Sequence, residues 1–182
     1  CAVLDLGSGA GGQSVRMAQA GAQVVAVDQF DFVDTFVQHR SDHGFSADQL
    51  QFIRADIVDL PQILNDQKFD VVIFQRTLHY LMYTEASRLL EYLHSITAHA
   101  LYISVSGLHS LIGDTYPCAS EVIEGRYCQL SHLGQEMFSI KEPVCLYDKQ
   151  ELIQILESAG WHIDEYWVSA FGNIKAICSN TT

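Results

Sequence analysis

The stretch Val3-Leu4-Asp5-Leu6-Gly7-Ser8-Gly9-Ala10-Gly11-Gly12 constrains this chain more than any other. Val3 to Leu6 read as a short buried strand. Gly7, Gly9, Gly11 and Gly12 then form a tight turn, and a helix is expected to start near Gly12 or Gln13. Glycine serves where φ must be positive or where backbone must approach another group closely. A helix opened by such a turn aims free backbone N–H groups, and the positive end of its dipole, at whatever sits above the strand. The unit is therefore expected to carry a nucleotide-like ligand.

The rest of the chain alternates strand and helix patterns. A helix is expected over 13–20, with Val15 and Ala18 on one face and Gly21 as its stop. Gln23 to Val27 reads as a second strand ending at Asp28. A helix over 31–43, with Phe32, Val33, Phe36 and Val37 on one face, ends at Gly44. Leu50 to Arg54 is a third strand, followed by Ala55-Asp56-Ile57. After a short helix at 61–65, Phe69 to Phe74 is an almost continuous apolar run of the kind buried on both faces in a parallel sheet. Thr84 is expected to cap a helix that carries Ala86, Leu89, Leu90, Leu93 and Ile96 at helical spacing. Ala100 to Val105 is a fifth strand. Asp148-Lys149-Gln150-Glu151 has the form of a capping box before a helix stopped by Gly160. Two strands, 161–168 and 173–178, close the chain. This order predicts an α/β doubly wound, mostly parallel seven-stranded sheet with a C-terminal antiparallel hairpin.

At 182 residues the chain is long enough for one domain with its own core. We read 1–182 as that single domain and, since Cys1 directly precedes the first strand, expect an N-terminal segment before it. Residues 106–146 are too long for a plain connection, and their aromatics (Tyr116, Tyr127, Phe138) favour order over disorder, so the segment is expected to be an inserted lid that covers the acceptor pocket. A formal net charge of −12 argues against nucleic acid as a partner. No apolar run reaches membrane-spanning length, so no membrane partner is expected. Five cysteines without a C-x-x-C pair read as reduced thiols in a cytoplasmic protein. Cys118, Cys128, His132 and Cys145 match no zinc spacing, and no metal is expected.

Two readings of the glycine turn compete. Gly7-x-Gly9-x-x-Gly12 fits a dinucleotide fingerprint, which would make the chain an NAD(P)-binding oxidoreductase. Asp5 speaks against it, because a carboxylate beside a pyrophosphate is repulsive. Asp5-x-Gly7-x-Gly9-x-Gly11 instead resembles motif I of the class I S-adenosylmethionine-dependent methyltransferases. The likeness continues at Asp28, at Asp56-Ile57, and in Phe69-Asp70-Val71-Val72 leading to Leu78-His79. It implies S-adenosylmethionine as cofactor and Asp5, Gly7, Ser8, Gly9, Gly11, Asp28, Gln29, Asp56, Ile57 and Gln75 as the residues that bind it. Asp28 would accept the ribose hydroxyls, Asp56 the adenine amino group, and Ile57 would pack on the ring. The acceptor is expected to be a small molecule, since Phe74-Gln75-Arg76-Thr77 lacks the N/D-P-P-Y/F segment of base N-methyltransferases. His79 is expected at the mouth of the acceptor site as a proton acceptor, with Arg76 and Tyr80 contacting the acceptor. A methyltransferase-like chain that only binds a ligand or a partner protein remains the further alternative.

Overall fold

The computed structural model describes residues 1–65 and 67–180. Seven strands form one sheet in the order β3-β2-β1-β4-β5-β7-β6. β1 (Ala2–Leu6) lies at its centre, parallel to β2 (Gln23–Asp28) on one side and β4 (Phe69–Gln75) on the other. β3 (Leu50–Arg54) extends the parallel set beyond β2, and β5 (Thr97–Val105) extends it beyond β4. β7 (Ile174–Ser179) joins β5 antiparallel and pairs with β6 (His162–Val168), the expected hairpin. Leu6 stands level with both Val27 and Phe74, so the ends of the three central strands open on one edge of the sheet.

Alternate residues of a strand face opposite sides, and β1 feeds two cores. Leu4 and Leu6 join Val27, Phe74 and the buried face of α4 (Tyr83–Ile96) and α6 (Lys149–Ser158). Val3 joins Ala26, with Val15 and Ala18 of α1 (Gly12–Gln19) and Phe36 of α2 (Val33–His43). Asp5 shares that second face, which is why its carboxylate meets α1 rather than solvent.

Several local expectations are corrected. α2 buries only Phe36, while Val33 and Val37 are exposed. It lies beside edge strand β3 and docks through Phe36, stacked on Phe52 at 4.7 Å, with Phe32 at its N-cap edge-on to the same ring and Arg40 donating to Leu50 O at 3.1 Å. Thr84 does not cap α4; Met82 does, and the Glu85 carboxylate accepts the Met82 N–H at 3.1 Å. The capping box of α6 forms as expected, with Glu151 N–H donating to Asp148 Oδ1 at 2.8 Å. The short helix α3 (Leu60–Leu64) precedes β4.

Residues 106–146 are ordered around α5 (His132–Phe138) and a small core of Ile112, Tyr116, Leu130, Ile140, Val144 and Leu146. Arg126 fastens this segment to α6. Its guanidinium donates to Glu151 Oε2 at 2.7 Å, to Leu146 O at 3.1 Å and to Glu121 O at 2.8 Å, and it is buried. Cys118 and Cys128 form a disulfide, which corrects the reading of five reduced thiols; Cys1, Cys145 and Cys178 are free. The two sulfurs meet because the segment turns back on itself between them and pairs Cys128 with Val144.

Candidate functional site

The ends of β1 to β4 line a cleft of about 730 Å³. Its walls are built in chain order. Gly7 follows β1; Asp28 ends β2, with Gln29 and Phe30 after it; Ala55 to Val58 follow β3; Gln75 ends β4, with Arg76 and Thr77 after it. Tyr80, Leu81 and Glu85 come from the turn into α4, and Tyr127 and Glu142 from the 106–146 segment.

The glycine turn is held tightly. Gly7 has φ +67°, and an ideal Cβ there would stand 2.0 Å from Thr77 Oγ1. A Cβ on Gly11 (φ +82°) would meet the Phe36 ring at 2.6 Å. These two positions therefore demand glycine for both conformation and space. The amides, however, do not point freely at a ligand as expected. Gly7 and Ser8 N–H both donate to Val27 O, at 2.9 and 3.2 Å, and Gly11 N–H donates to Ser8 O at 3.0 Å. Gly9 N–H donates to Asp28 Oδ2 at 2.8 Å. The turn is closed on itself, and among the described residues only Gly7 of this turn reaches the cleft wall.

Asp28 is buried, and its second oxygen, Oδ1, accepts the Phe30 N–H at 3.0 Å. Each oxygen keeps further lone-pair capacity toward the cleft. Asp56 uses Oδ1 to cap the turn at 57–59 by accepting the Val58 N–H at 3.1 Å. Gln75 is fixed from behind: Ser104 Oγ donates to its Oε1 at 2.9 Å, and its Nε2 donates to Tyr102 O at 3.3 Å. Tyr127 OH donates to Tyr80 O at 3.1 Å, tying the 106–146 segment to the turn after β4.

Of the residues singled out from the sequence, Gly7, Asp28, Gln29, Asp56, Ile57, Gln75, Arg76 and Tyr80 line the cleft. Asp5, Ser8, Gly9, Gly11 and His79 do not. Asp5 is buried, and Ser14 Oγ donates to it at 2.5 Å. Burial pushes its carboxyl up to about 6, against the lowering effect of the Ser14 hydrogen bond, and the nearby Asp28 charge adds to the rise. The Ser8 hydroxyl is buried with no hydrogen-bond partner. His79 is only 1% exposed, behind Tyr80 and not at the cleft mouth. Its backbone carbonyl accepts the Cys145 N–H at 2.8 Å, and burial followed by the Arg76 charge pulls its imidazole down to about 3. It is neutral near pH 7 and shielded from the cleft. Phe30, Thr77, Glu85 and Glu142 were missed, while Tyr127 is one of the 106–146 aromatics expected in the lid. Thr77 was within reach of sequence reasoning, lying two residues past β4, whereas Glu142 carries no local signal. No group of three or more His, Cys, Asp or Glu side chains among the described residues is placed to hold a metal ion.

Residues 1–160 match the family described as Methyltransferase domain. Comparison with curated proteins gives no match. Among solved structures, the chain resembles the Burkholderia thailandensis 1,6-didemethyltoxoflavin-N1-methyltransferase, crystallised with 1,6-didemethyltoxoflavin and S-adenosylhomocysteine. The TM-score is 0.73 at 18% identity, over 100% of this chain and 71% of that one. Magnesium protoporphyrin IX methyltransferase from Synechocystis PCC 6803, with bound S-adenosylhomocysteine, gives 0.70 at 19% identity over 98% and 74% of the two chains. The [4+2]-cyclase SpnF gives 0.70 at 14% identity over 98% and 73%. Likeness at these identities is likeness of fold, and the fold serves more than one reaction.

Proposed function

The chain belongs to the Methyltransferase domain family, whose reaction is S-adenosylmethionine-dependent methyl transfer, and we propose that its acceptor is a small molecule held between the turn after β4 and residues 106–146. One observation carries the reading of the site. Asp28, Asp56 with Ile57, and Gln75 come from three successive strand ends and face one cleft above the closed glycine turn.

The cleft suits the cofactor residue by residue. Asp28 accepts the ribose hydroxyls, since both its oxygens are already oriented by the Gly9 and Phe30 amides. Asp56 accepts the adenine amino group, and Ile57 packs beside the ring. Gln29 borders the ribose, and Gln75, locked by Ser104 and Tyr102, borders the methionine end. Gly7 and Gly11 shape the turn. Asp5, Ser8 and Gly9 act from behind it, Asp5 by setting α1 through Ser14. A dinucleotide fits poorly, because the amides of Gly7, Ser8, Gly9 and Gly11 are taken internally and Asp5 stands close behind.

The bound sulfonium supplies an electrophilic methyl group. The chain's part is alignment and exclusion of water. Phe30, Tyr80 and Tyr127 provide flat walls, and the Tyr127–Tyr80 hydrogen bond fixes two of them relative to one another. His79 packs behind Tyr80 rather than moving a proton. A base is needed only for an acceptor that arrives protonated.

A small neutral or charged metabolite suits this cleft better than nucleic acid, given the net charge of −12. Incubating the protein with methyl-labelled S-adenosylmethionine and a cell extract tests this. Label is expected in the small-molecule fraction, and label confined to protein or nucleic acid contradicts it. Among the described residues no helix is long and apolar enough to cross a membrane. We propose a cytoplasmic location as part of the same reading, and the Cys118–Cys128 disulfide is the observation that stands against it. Thiol titration of protein alkylated at lysis tests it: a reducing compartment leaves Cys118 and Cys128 free, an oxidising one leaves them bonded.

A further inference from the structure

The closed glycine turn leaves an electrostatic demand at one end of the cleft. On the reading above, on which this inference rests, adenine lies at the β3 end and ribose at the β2 end. The methionine end of the cofactor then lies toward β1 and β4. That end carries a carboxylate, and Gly7, the one residue of the turn on the cleft wall among the described residues, has its N–H bonded to Val27 O, as Ser8, Gly9 and Gly11 have theirs bonded within the protein. The cleft wall is otherwise acidic, with Asp28, Asp56, Glu85 and Glu142 on it.

Arg76 is the one cation on that wall among the described residues. No carboxylate of the described residues forms an ion pair with it. Glu85 is committed to the Met82 N–H. The backbone of Arg76 is held at φ +56°, a left-handed conformation that residues other than glycine rarely adopt. Its N–H donates to Ser104 O at 2.8 Å and to Ser104 Oγ at 3.1 Å, which anchors that conformation to β5. The same Ser104 hydroxyl holds Gln75. β5 thus fixes both Gln75, the last residue of β4, and Arg76 after it, and among the described residues the Arg76 guanidinium has no hydrogen-bond or ion-pair partner. A guanidinium matches a carboxylate with two parallel hydrogen bonds.

We infer that Arg76 receives the α-carboxylate at the methionine end of the cofactor, and does not serve the methyl acceptor. It is a binding residue for the cofactor's far end, taking the part that free turn amides would otherwise take.

Two ligands separate this from its alternatives. S-Adenosylhomocysteine carries the aminocarboxylate end; 5′-methylthioadenosine keeps adenine, ribose and thioether but lacks it. Calorimetric titration of both is run on the wild type, Arg76→Gln and Arg76→Lys. Arg76→Gln should weaken S-adenosylhomocysteine roughly 10- to 100-fold, the range for a charge-assisted hydrogen bond, and leave methylthioadenosine unchanged. Arg76→Lys, which keeps the charge without the fork, should recover part of the loss and covers the case of a poorly folded glutamine variant. Unchanged S-adenosylhomocysteine affinity in Arg76→Gln would overturn the inference and return Arg76 to the acceptor. Equal loss of both ligands would overturn it in favour of a role in shaping the turn. A wild type that binds neither ligand overturns the cofactor reading itself.

Discussion

Asp28 Oδ2 accepts the backbone N–H of Gly9 at 2.8 Å, so the carboxylate at the end of the second strand also closes the glycine turn after the first. On the proposed reading the same side chain also accepts the ribose hydroxyls. Replacing Asp28 by Ala removes an acceptor from the cleft and frees the turn. S-Adenosylhomocysteine binding should weaken by about 2–3 kcal/mol, or roughly 30- to 150-fold, with lowered thermal stability. Asp28→Asn keeps an oxygen for Gly9 and should cost less of both. Calorimetry and thermal melting of the two variants check this.

The glycines of the turn are not equivalent. A Cβ on Gly7 would stand 2.0 Å from Thr77 Oγ1, whereas one on Gly9 meets nothing within 4 Å. Gly9→Ala should therefore cost only the left-handed backbone term, about 1–2 kcal/mol. Gly7→Ala adds a clash with the β4 turn and should cost at least about 3 kcal/mol, displacing Thr77 and Arg76. Denaturant titration ranks the two.

Buried Asp5 and His79 give opposite pH dependences. The imidazole of His79 is held down at about 3, so above the ordinary value of 6.5 it adds nothing. As pH falls below 6.5 the unfolded chain takes up a proton that the fold refuses, and stability is lost by up to about 1.4 kcal/mol per pH unit until about pH 3. Asp5 is raised from 3.8 to about 6, so its contribution is present below 3.8 and lost as pH rises through 6. At pH 7 its ionised form costs on the order of 3 kcal/mol. Asp5→Asn, which keeps an acceptor for Ser14, should match or exceed the wild type in stability at pH 7.5. His79→Gln should lose packing stability at pH 7 yet close the gap on the wild type as pH falls toward 4, with S-adenosylhomocysteine affinity unchanged. Melting curves between pH 4 and 8 read both.

Arg126 and Glu151 form a buried ion pair at 2.7 Å between the 106–146 segment and α6. Arg126→Met leaves Glu151 its Asp148 N–H but removes every bond from the guanidinium. The expected cost is about 3–5 kcal/mol. Limited proteolysis should then cut within 106–146, while S-adenosylhomocysteine binding survives. Protection of that segment in the variant would show that the disulfide and the small core hold it without the latch.

The parts of the site that were legible in the sequence are those set by strand ends. A parallel strand buried on both faces is a continuous apolar run, and the first polar residue after it marks the sheet edge where ligands bind. Asp28 and Gln75 were legible for that reason, whereas Asp56, which follows the mixed edge strand Leu50-Gln51-Phe52-Ile53-Arg54, was placed through the family resemblance. The direction of a side chain one residue further on was not legible. Leu78-His79-Tyr80 winds into a 3₁₀ turn that sends His79 inward and Tyr80 to the cleft, a choice that depends on the contact of His79 with Cys145 and Ser106 far along the chain. Tyr127, Glu142 and the Cys118–Cys128 bond depend likewise on how 106–146 folds back, through the pairing of Cys128 with Val144. Such pairings leave no periodicity to read. The glycine turn misled in a different way. Its composition was read as offering free amides to a ligand, but the N–H groups of Gly7, Ser8, Gly9 and Gly11 close the turn instead.

Calorimetric titration of the purified protein with S-adenosylhomocysteine and, separately, with NAD tests the central claim most directly. Asp28, Asp56 and Gln75 around a turn with no free cleft-facing amide predict micromolar or tighter binding of S-adenosylhomocysteine and no heat with NAD. Saturable NAD binding with no response to S-adenosylhomocysteine would contradict it.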